Sequence, residues 1–257
     1  DSFTEGRSAE DWQKWIWEQS CERAAKLNVQ MPDYESFREA GFYKSPDLKE
    51  DRIFLSDFFE DPDKNPLKTP SGKIEIFSDT IDSFNYNDCP GHPTWMEPDE
   101  WLGAEEKAYP LHLISNQPKT KLHSQMDNGT LSSSIKIKGH QPLEMNPDDA
   151  KSRGITQGDI VRVFNGRGSC LCGVNITADV MPGVVIISTG SWYDPAEPND
   201  PKSMCKHGNP NVLSPDIGTS KLGQGPAAHS CLAEIEKYDG PVQDITAFNP
   251  PEIIEKK

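Results

Sequence analysis

The sequence has 257 residues, 26 Lys and Arg against 41 Asp and Glu, and a formal net charge of −15. That length suits one large domain or a domain with an appendage, and the acidic balance excludes a broad nucleic-acid or anionic-membrane surface. Hydrophobic residues at 34%, with 22 prolines and 19 glycines, point to a soluble globular chain of many turns and short elements, not a helical bundle. No apolar run approaches the roughly 20 residues that span a bilayer, and no signal peptide opens the chain. The first residues, "DSFTEG", carry no Met, which fits a processed product or a piece of a longer polypeptide.

In chain order, residues 8–28 predict a helix with Ser8 as N-cap and Asp11 completing a capping box; Trp12, Trp15, Ile16 and Gln19 form its packing stripe. "PDYESFREA" predicts a second, short helix between Pro32 and Gly41. Residues 43–70 are polar and Pro-rich. Asp61-Pro-Asp63-Lys-Asn65 imitates the opening of a calcium loop, but Pro66 and Gly72 stand where an EF-hand needs Gly and Glu. "GKIEIFSD" (72–79) alternates like a strand, and a connector dense in Pro, Gly and acid follows.

From about residue 109 the pattern becomes β. The runs 111–115, 159–165, 169–177, 183–188 and 231–238 are apolar and bounded by Gly, Asn and Asp turns. One helix, "NPDDAKSRGI", has Asn146 as N-cap, Pro147 at its first position and Gly154 as its stop. Short strands with few helices predict a mainly β fold, a closed barrel of mixed topology. The expected division is an arm and connector over 1–106, the barrel over 107–240 and a C-terminal tail over 241–257.

The templates for nucleophiles, Walker loops and H-E-x-x-H metal sites are absent, and "NGRGS" (165–169) reads as a hairpin turn. Cys170 and Cys172 share one strand face without a second pair nearby, so the six cysteines read as free thiols, not a zinc site. What remains is polar recognition in loops. "SNQPKTKLHSQ" offers Asn116, Gln117, Lys121, His123, Ser124 and Gln125, a set able to bond a flat heterocycle and a phosphate. A second cluster, 207–230, has Gly218, Gly223 and Gly225 for close backbone approach beside Asn209, Asn211, Lys221 and Gln224. Either cluster alone also reads as a solvated loop; two on one scaffold favour a ligand site.

Six phrases carry a resemblance: "TPSGKIEIFS" (69–78), "GHPTWMEP" (91–98), "LHLISNQP…LHSQMDNG" (111–129), "NPDDAKSRGITQGDIVRVFNGRG" (146–168), "HGNPNVLSPDIGTSKLGQGP" (207–226) and "CLAEIEKY" (231–238). In this order they resemble the C-terminal region of the dimethyl sulfoxide reductase family of molybdopterin oxidoreductases, on its trimethylamine-N-oxide and biotin sulfoxide reductase side. The resemblance implies a six-stranded double-psi barrel whose arm packs on an N-terminal part outside this sequence. It implies a bis(molybdopterin guanine dinucleotide) carrying molybdenum, shared with that part. Ser115, Asn116, Gln117, Lys121, His123, Ser124 and Gln125 would contact one dinucleotide, and Asn211 and Gln224 pterin edges. The family's molybdenum-ligating serine and substrate funnel lie in the N-terminal part, so no residue here is assigned as catalytic or as a metal ligand. The implied reaction is reduction of an N-oxide or S-oxide, with trimethylamine N-oxide, dimethyl sulfoxide, biotin sulfoxide and methionine sulfoxide all open. A stand-alone barrel serving as a binding or assembly module is the rival reading. The family implies the periplasm and a c-type cytochrome as electron donor there; the biotin sulfoxide branch and the free thiols keep the cytoplasm as the alternative.

Overall fold

In the computed structural model, residues 2–47, 53–251 and 253 are described. Residues 1, 48–52, 252 and 254–257 lie outside the described residues, and with them parts of the polar segment 43–70 and of the expected tail. Contacts divide the chain into two compact units, residues 1–75 and 76–257.

Among the described residues the first unit holds three helices: α1 (Ala9–Ala25), α2 (Tyr34–Ala40) and α3 (Ser56–Glu60). The capping box at Ser8 and Asp11 forms as expected, with Ser8 N donating to Asp11 Oδ2 at 2.9 Å and Asp11 N to Ser8 Oγ at 3.2 Å. Asp33 caps α2, and Gly41 closes it in the left-handed region at φ 76°, where a side chain would strain the backbone. The face of α1 that meets α2 is Gln13, Trp17 and Cys21, one helical turn apart, not the expected stripe. Trp17 stacks on Phe37 with centroids 3.7 Å apart and donates its indole N–H to Pro32 O at 2.9 Å. Tyr34 OH donates to Gln13 at 3.1 Å. Trp15 and Ile16 stay exposed.

"GKIEIFSD" does not form a strand. Ile74 and Ile76 are 60% and 79% exposed, and α4 (Asp79–Asp82) begins on the segment's last residue. A two-residue period makes a strand only where a neighbour supplies the hydrogen-bond ladder, and no described strand pairs with this segment.

The second unit is a closed six-stranded barrel in the order β1-β5-β2-β4-β3-β6, as expected. Its strands are β1 (Leu111–Ile114), β2 (Pro142–Met145), β3 (Ile160–Phe164), β4 (Ser169–Ile176), β5 (Val184–Ile186) and β6 (Leu232–Lys237). β1 runs parallel to β5 and β2 parallel to β4; the other neighbours are antiparallel. Alternation turns Leu111, Leu113, Leu143, Met145, Val161, Val163 and Ile235 inward, all 2% exposed or less. Burying each such side chain stabilises by about 2 kcal/mol, and closure leaves no open sheet edge. β2 is the strand the sequence does not announce. It is four residues long, begins on Pro142 and pairs only with distant partners.

The hairpin 165–168 is present, its Asn165 side chain donating inward to Leu213 O at 2.9 Å and Leu232 O at 3.0 Å. After α5 (Thr130–Ser134), α6 (Pro147–Ser152) has the expected Asn146 cap. Cys170, Cys172, Cys205 and Cys231 are buried and free; Cys170 and Cys172 bring their sulfurs to 4.0 Å on one strand face. Two clasps tie flanking segments to the barrel. Arg167 donates to both Glu100 oxygens at 2.5 and 2.9 Å, and Glu100 Oε2 accepts from Leu232 N at 2.7 Å. Asp194 accepts from Thr246 N and Oγ1, both at 2.6 Å, and from Ala247 N at 3.1 Å, which seats residues 244–248 on the barrel loops.

Candidate functional site

Because β1 and β5 are parallel, the loops that follow them leave the barrel side by side. Ile187 N donates to Ile114 O at 3.0 Å and Thr189 N to Asn116 O at 2.9 Å, so the pairing continues past the strands. Ser188 Oγ donates to Asn116 Oδ1 at 2.7 Å, and the Trp192 indole N–H to Ser124 O at 2.8 Å. The two loops make one ledge at the carboxyl ends of adjacent parallel strands, where ligand sites of sheet proteins gather.

Gly190 sets how closely the loops approach. A Cβ built there would lie 1.8 Å from His123 O and 2.9 Å from Ser124 N, and its φ is +91°. Gly190→Ala therefore forces the loops apart; the expected result is faster amide exchange in residues 116–125 and 188–193 together, with β3 and β4 unchanged. His123 and Met126 hold φ of 51° and 63°, conformations costing of order 1 kcal/mol each in a residue with a side chain. The Gln125 N to Leu122 O bond at 2.9 Å and the Trp192 contact hold them there.

Two clefts open from the ledge. The first, about 510 Å³, is walled by side-chain amides (Asn116, Gln117, Gln141, Gln157, Asn175), by Ile135, Ile137 and Ile186, and by Lys119 and Glu144. The second, about 450 Å³, presents His123, Ser124, Thr189, Ser191, Asn209 and Asn211. Both volumes are in the range of small-molecule sites. Amide edges over apolar walls suit a flat heterocycle; hydroxyls, amides and an imidazole suit phosphate and sugar.

Of the residues singled out from sequence, Asn116 and Gln117 share the first cleft, and His123, Ser124 and Asn211 the second. Ser115 is half-buried at the exit of β1. Gln125 is exposed at the tip of the first loop and lines neither cleft. Gln224 also lines neither. Its amide donates to Ser220 O at 2.7 Å within a loop whose Lys221 N bonds Asp88 Oδ2 at 3.0 Å.

Lys121 is turned inward, its side chain 2% exposed. It donates to Asp127 Oδ1 at 2.5 Å and to Gln141 Oε1 at 3.3 Å. This uncovers a group of residues that sequence reasoning missed. Asp127 Oδ1 also accepts from Lys136 Nζ at 3.0 Å, while its Oδ2 accepts from Trp192 N at 3.0 Å. Lys136 donates to His207 Nε2 at 2.9 Å, and His207 Nδ1 donates to Trp192 O at 3.0 Å. That fixes a neutral imidazole with its proton on Nδ1. Burial, then the adjacent Lys136 charge, pushes His207 down to about 4. Burial pulls the Asp127 carboxyl up, but bonds from Lys121, Lys136 and Trp192 N outweigh it and hold the group below the usual carboxylate value. Burial lowers Lys136 against the pull of Asp127. Two ammonium groups thus share one carboxylate beneath the ledge. The only sequence signal was the polar residues themselves, Asp127 after Met126 and Lys136 between Ile135 and Ile137; nothing in spacing marked them as buried.

Residues 111–232 match the molydopterin dinucleotide binding domain. Nearly the whole chain aligns with reductases. It is 45% identical to the dimethyl sulfoxide/trimethylamine N-oxide reductase of Cereibacter sphaeroides, over 97% of this chain and 30% of that protein. It is 45% identical to trimethylamine-N-oxide reductase 1 of Escherichia coli strain K12, over 96% of this chain and 29% of that protein. With the trimethylamine-N-oxide reductase of Haemophilus influenzae it shares 38% identity, over 98% of this chain and 31% of that protein. Acetylene hydratase from Pelobacter acetylenicus superposes with a TM-score of 0.58 over 80% of this chain and 28% of that one, at 19% identity, and shows the same fold. The chain spans under a third of the length of the curated relatives it matches. Residues 111–232 thus carry the molydopterin dinucleotide binding domain, and over nearly its whole length the chain is similar to just under a third of the dimethyl sulfoxide/trimethylamine N-oxide reductases.

Proposed function

We propose that this chain is the clamp for a bis(molybdopterin guanine dinucleotide) in an oxidoreductase that reduces an N-oxide or S-oxide. The observation that carries the reading is the ledge itself: one cleft of amides over apolar walls beside one of hydroxyls and imidazole, on paired loops of a barrel whose relatives carry reductase names. The donor set fits the group. Five amide side chains can bond heterocycle edges, and the buried ammonium pair, bonded to Gln141 of the first cleft and joined through Asp127 to the Trp192 amide of the second, offsets the chain's acidic field locally.

When bound, such a cofactor supplies two-electron oxygen-atom exchange, the oxide taking two protons and two electrons and its oxygen leaving as water. The residues here bind and orient. Asn116 and Gln117 present amides to a ring edge, and His123, Ser124 and Asn211 present donors to phosphate and sugar. Ser115, Gln125 and Gln224 belong to the same assignment at the margins of the ledge, and Lys121 serves it from below through Asp127. The N-terminal part of the enzyme completes the site. The periplasm and a c-type cytochrome donor belong to the same proposal, as what the family resemblance of the sequence implies.

The test is metal and nucleotide analysis of the full-length protein. We expect stoichiometric molybdenum with guanine nucleotide released on acid treatment, and both reduced at least several-fold in His123→Ala/Asn211→Ala. Wild-type protein with neither molybdenum nor guanine nucleotide would overturn the reading.

A further inference from the structure

We propose that Asp127, Lys136 and His207 are positioning residues: they fix the spacing of the two ledge loops and, through it, the grip on the dinucleotide. The second half of this inference rests on the function proposed above; the first half does not.

None of the three lines either cleft, and their side chains are 0%, 5% and 0% exposed. They reach the site only through others. Asp127 joins three segments with one carboxylate: the first loop through Lys121, the segment after α5 through Lys136, and the second loop through the Trp192 amide. His207 closes the ring from the other side. The Trp192 peptide is held at its N–H by Asp127 and at its carbonyl by His207 Nδ1. Ser191 Oγ donates to His207 O at 2.9 Å, and Gln141 N donates to the same carbonyl at 3.3 Å. Gln141 and Ser191 each line a cleft, so one buried ring touches the floor of both. Phe248 of the docked C-terminal segment stands edge-on to His207 and Trp192, with centroids 5.0 and 5.2 Å away, and shields the ring from water.

This arrangement is costly to build as a stability device, because an apolar cluster of equal volume would serve a barrel as well or better. What charge and hydrogen bonding add is direction. Each bond has one geometry, so the two loops have one separation.

The experiment uses the full-length protein and three readouts. Amide exchange is measured in the wild type, in Lys136→Met and in the pair His207→Leu and His207→Gln. Val161→Ala, a cavity in β3, serves as a control of comparable melting loss. A Gln amide can donate to the Trp192 carbonyl and accept from Lys136, so it restores the ring where Leu breaks it. In Lys136→Met and His207→Leu, exchange in residues 116–125 and 188–193 is expected to rise together at least tenfold. In His207→Gln and in the control it stays within about threefold of the wild type. On loaded protein, release of molybdenum and of guanine nucleotide into the filtrate is expected to accelerate in the same order. Uniform exchange across the barrel, or His207→Gln behaving as His207→Leu, would show a merely structural ring and overturn the proposal. If Lys136→Met does not accumulate, the His207 pair decides by the same comparison. Wild-type protein that carries no cofactor overturns the proposed function, while the exchange arms still decide the loop coupling. Coupled loops with cofactor release unchanged from the control refute the grip and leave the proposed function standing.

Discussion

Asp127→Ala is expected to lower the stability of the barrel by about 3–5 kcal/mol, seen as a shift of the urea midpoint at which amides of β1 and β5 lose protection in the intact protein. The carboxylate is fully buried and holds two ammonium groups whose side chains are 2% and 5% exposed. Removing it leaves two buried like charges beside each other, with the Trp192 amide unpaired as well. The exposed cross-strand pair Arg162–Glu236, 39% and 51% exposed, sets the scale at the other extreme, because water screens such pairs to about 0–1 kcal/mol. Asp127→Asn keeps one acceptor oxygen, enough for the lysines or for the Trp192 amide but not for both, and no charge, so it recovers only part of the loss. The triple change Asp127→Leu/Lys121→Met/Lys136→Met separates stability from geometry. It removes every buried charge of the ring, so much of the stability returns while the loops stay uncoupled. A loss in Asp127→Ala of under about 1 kcal/mol would mean that water reaches the ring and that the burial is only nominal.

The barrel was largely legible because local signals agree with it. Ser8, Asn146 and Pro147 mark helix starts by hydrogen-bond chemistry that needs no tertiary context, and the runs around Val161, Cys170 and Ile235 are apolar enough to be strands anywhere. β2 was not legible. Pro142–Met145 offers two inward residues, Leu143 and Met145, and its ladder partners lie 30 residues or more along the chain. The reverse error at Ile74 and Ile76 has the same origin, since alternation states which residues could face a core but not whether a partner strand exists.

At the site, residue type was readable and direction was not. Lys121 looked like a free cation because lysines usually are; only the fold reveals that Asp127 takes its charge. His123, Ser124 and Asn211 come together across nearly ninety residues because the second cleft is walled by the first loop and by the turn at Pro210–Val212. Asp127 and His207 fall within phrases that carry the resemblance, but nothing in those phrases or around Lys136 marks the three as buried or as partners. Their significance lies in distances between segments, and a single sequence holds no record of those.

The second large effect is in acid. His207 is neutral in the folded protein, with its proton on Nδ1, and takes a second proton only at about 4, against 6.5 for the ordinary group. Lys136 faces its Nε2, Asp127 and Trp192 O face its Nδ1, Asp194 lies beyond, and Phe248 of the C-terminal segment is apolar. The folded value is depressed, so between pH 6.5 and about 4 the unfolded chain binds a proton that the folded chain refuses. Stability is present above that window and is lost as pH falls through it. At about 1.4 kcal/mol per pH unit, the loss attributable to His207 approaches about 3 kcal/mol. His140, buried with its Nδ1 donating to Lys206 O at 2.6 Å, is also lowered, chiefly by burial, and adds in the same sense. Asp127 and Asp194, held below their ordinary value of 3.8, lose their contributions only at still lower pH, as each passes through its folded value. The measurement is the urea midpoint of the barrel at several pH values from about 7 to about 4.5, in wild type and in His207→Gln. The wild type should lose stability steeply over this range, and His207→Gln should keep only the shallower slope that His140 supplies. Equal slopes in the two proteins would show that His207 charges freely in the fold, and the neutral ring between Lys136 and Trp192 would then be the wrong description.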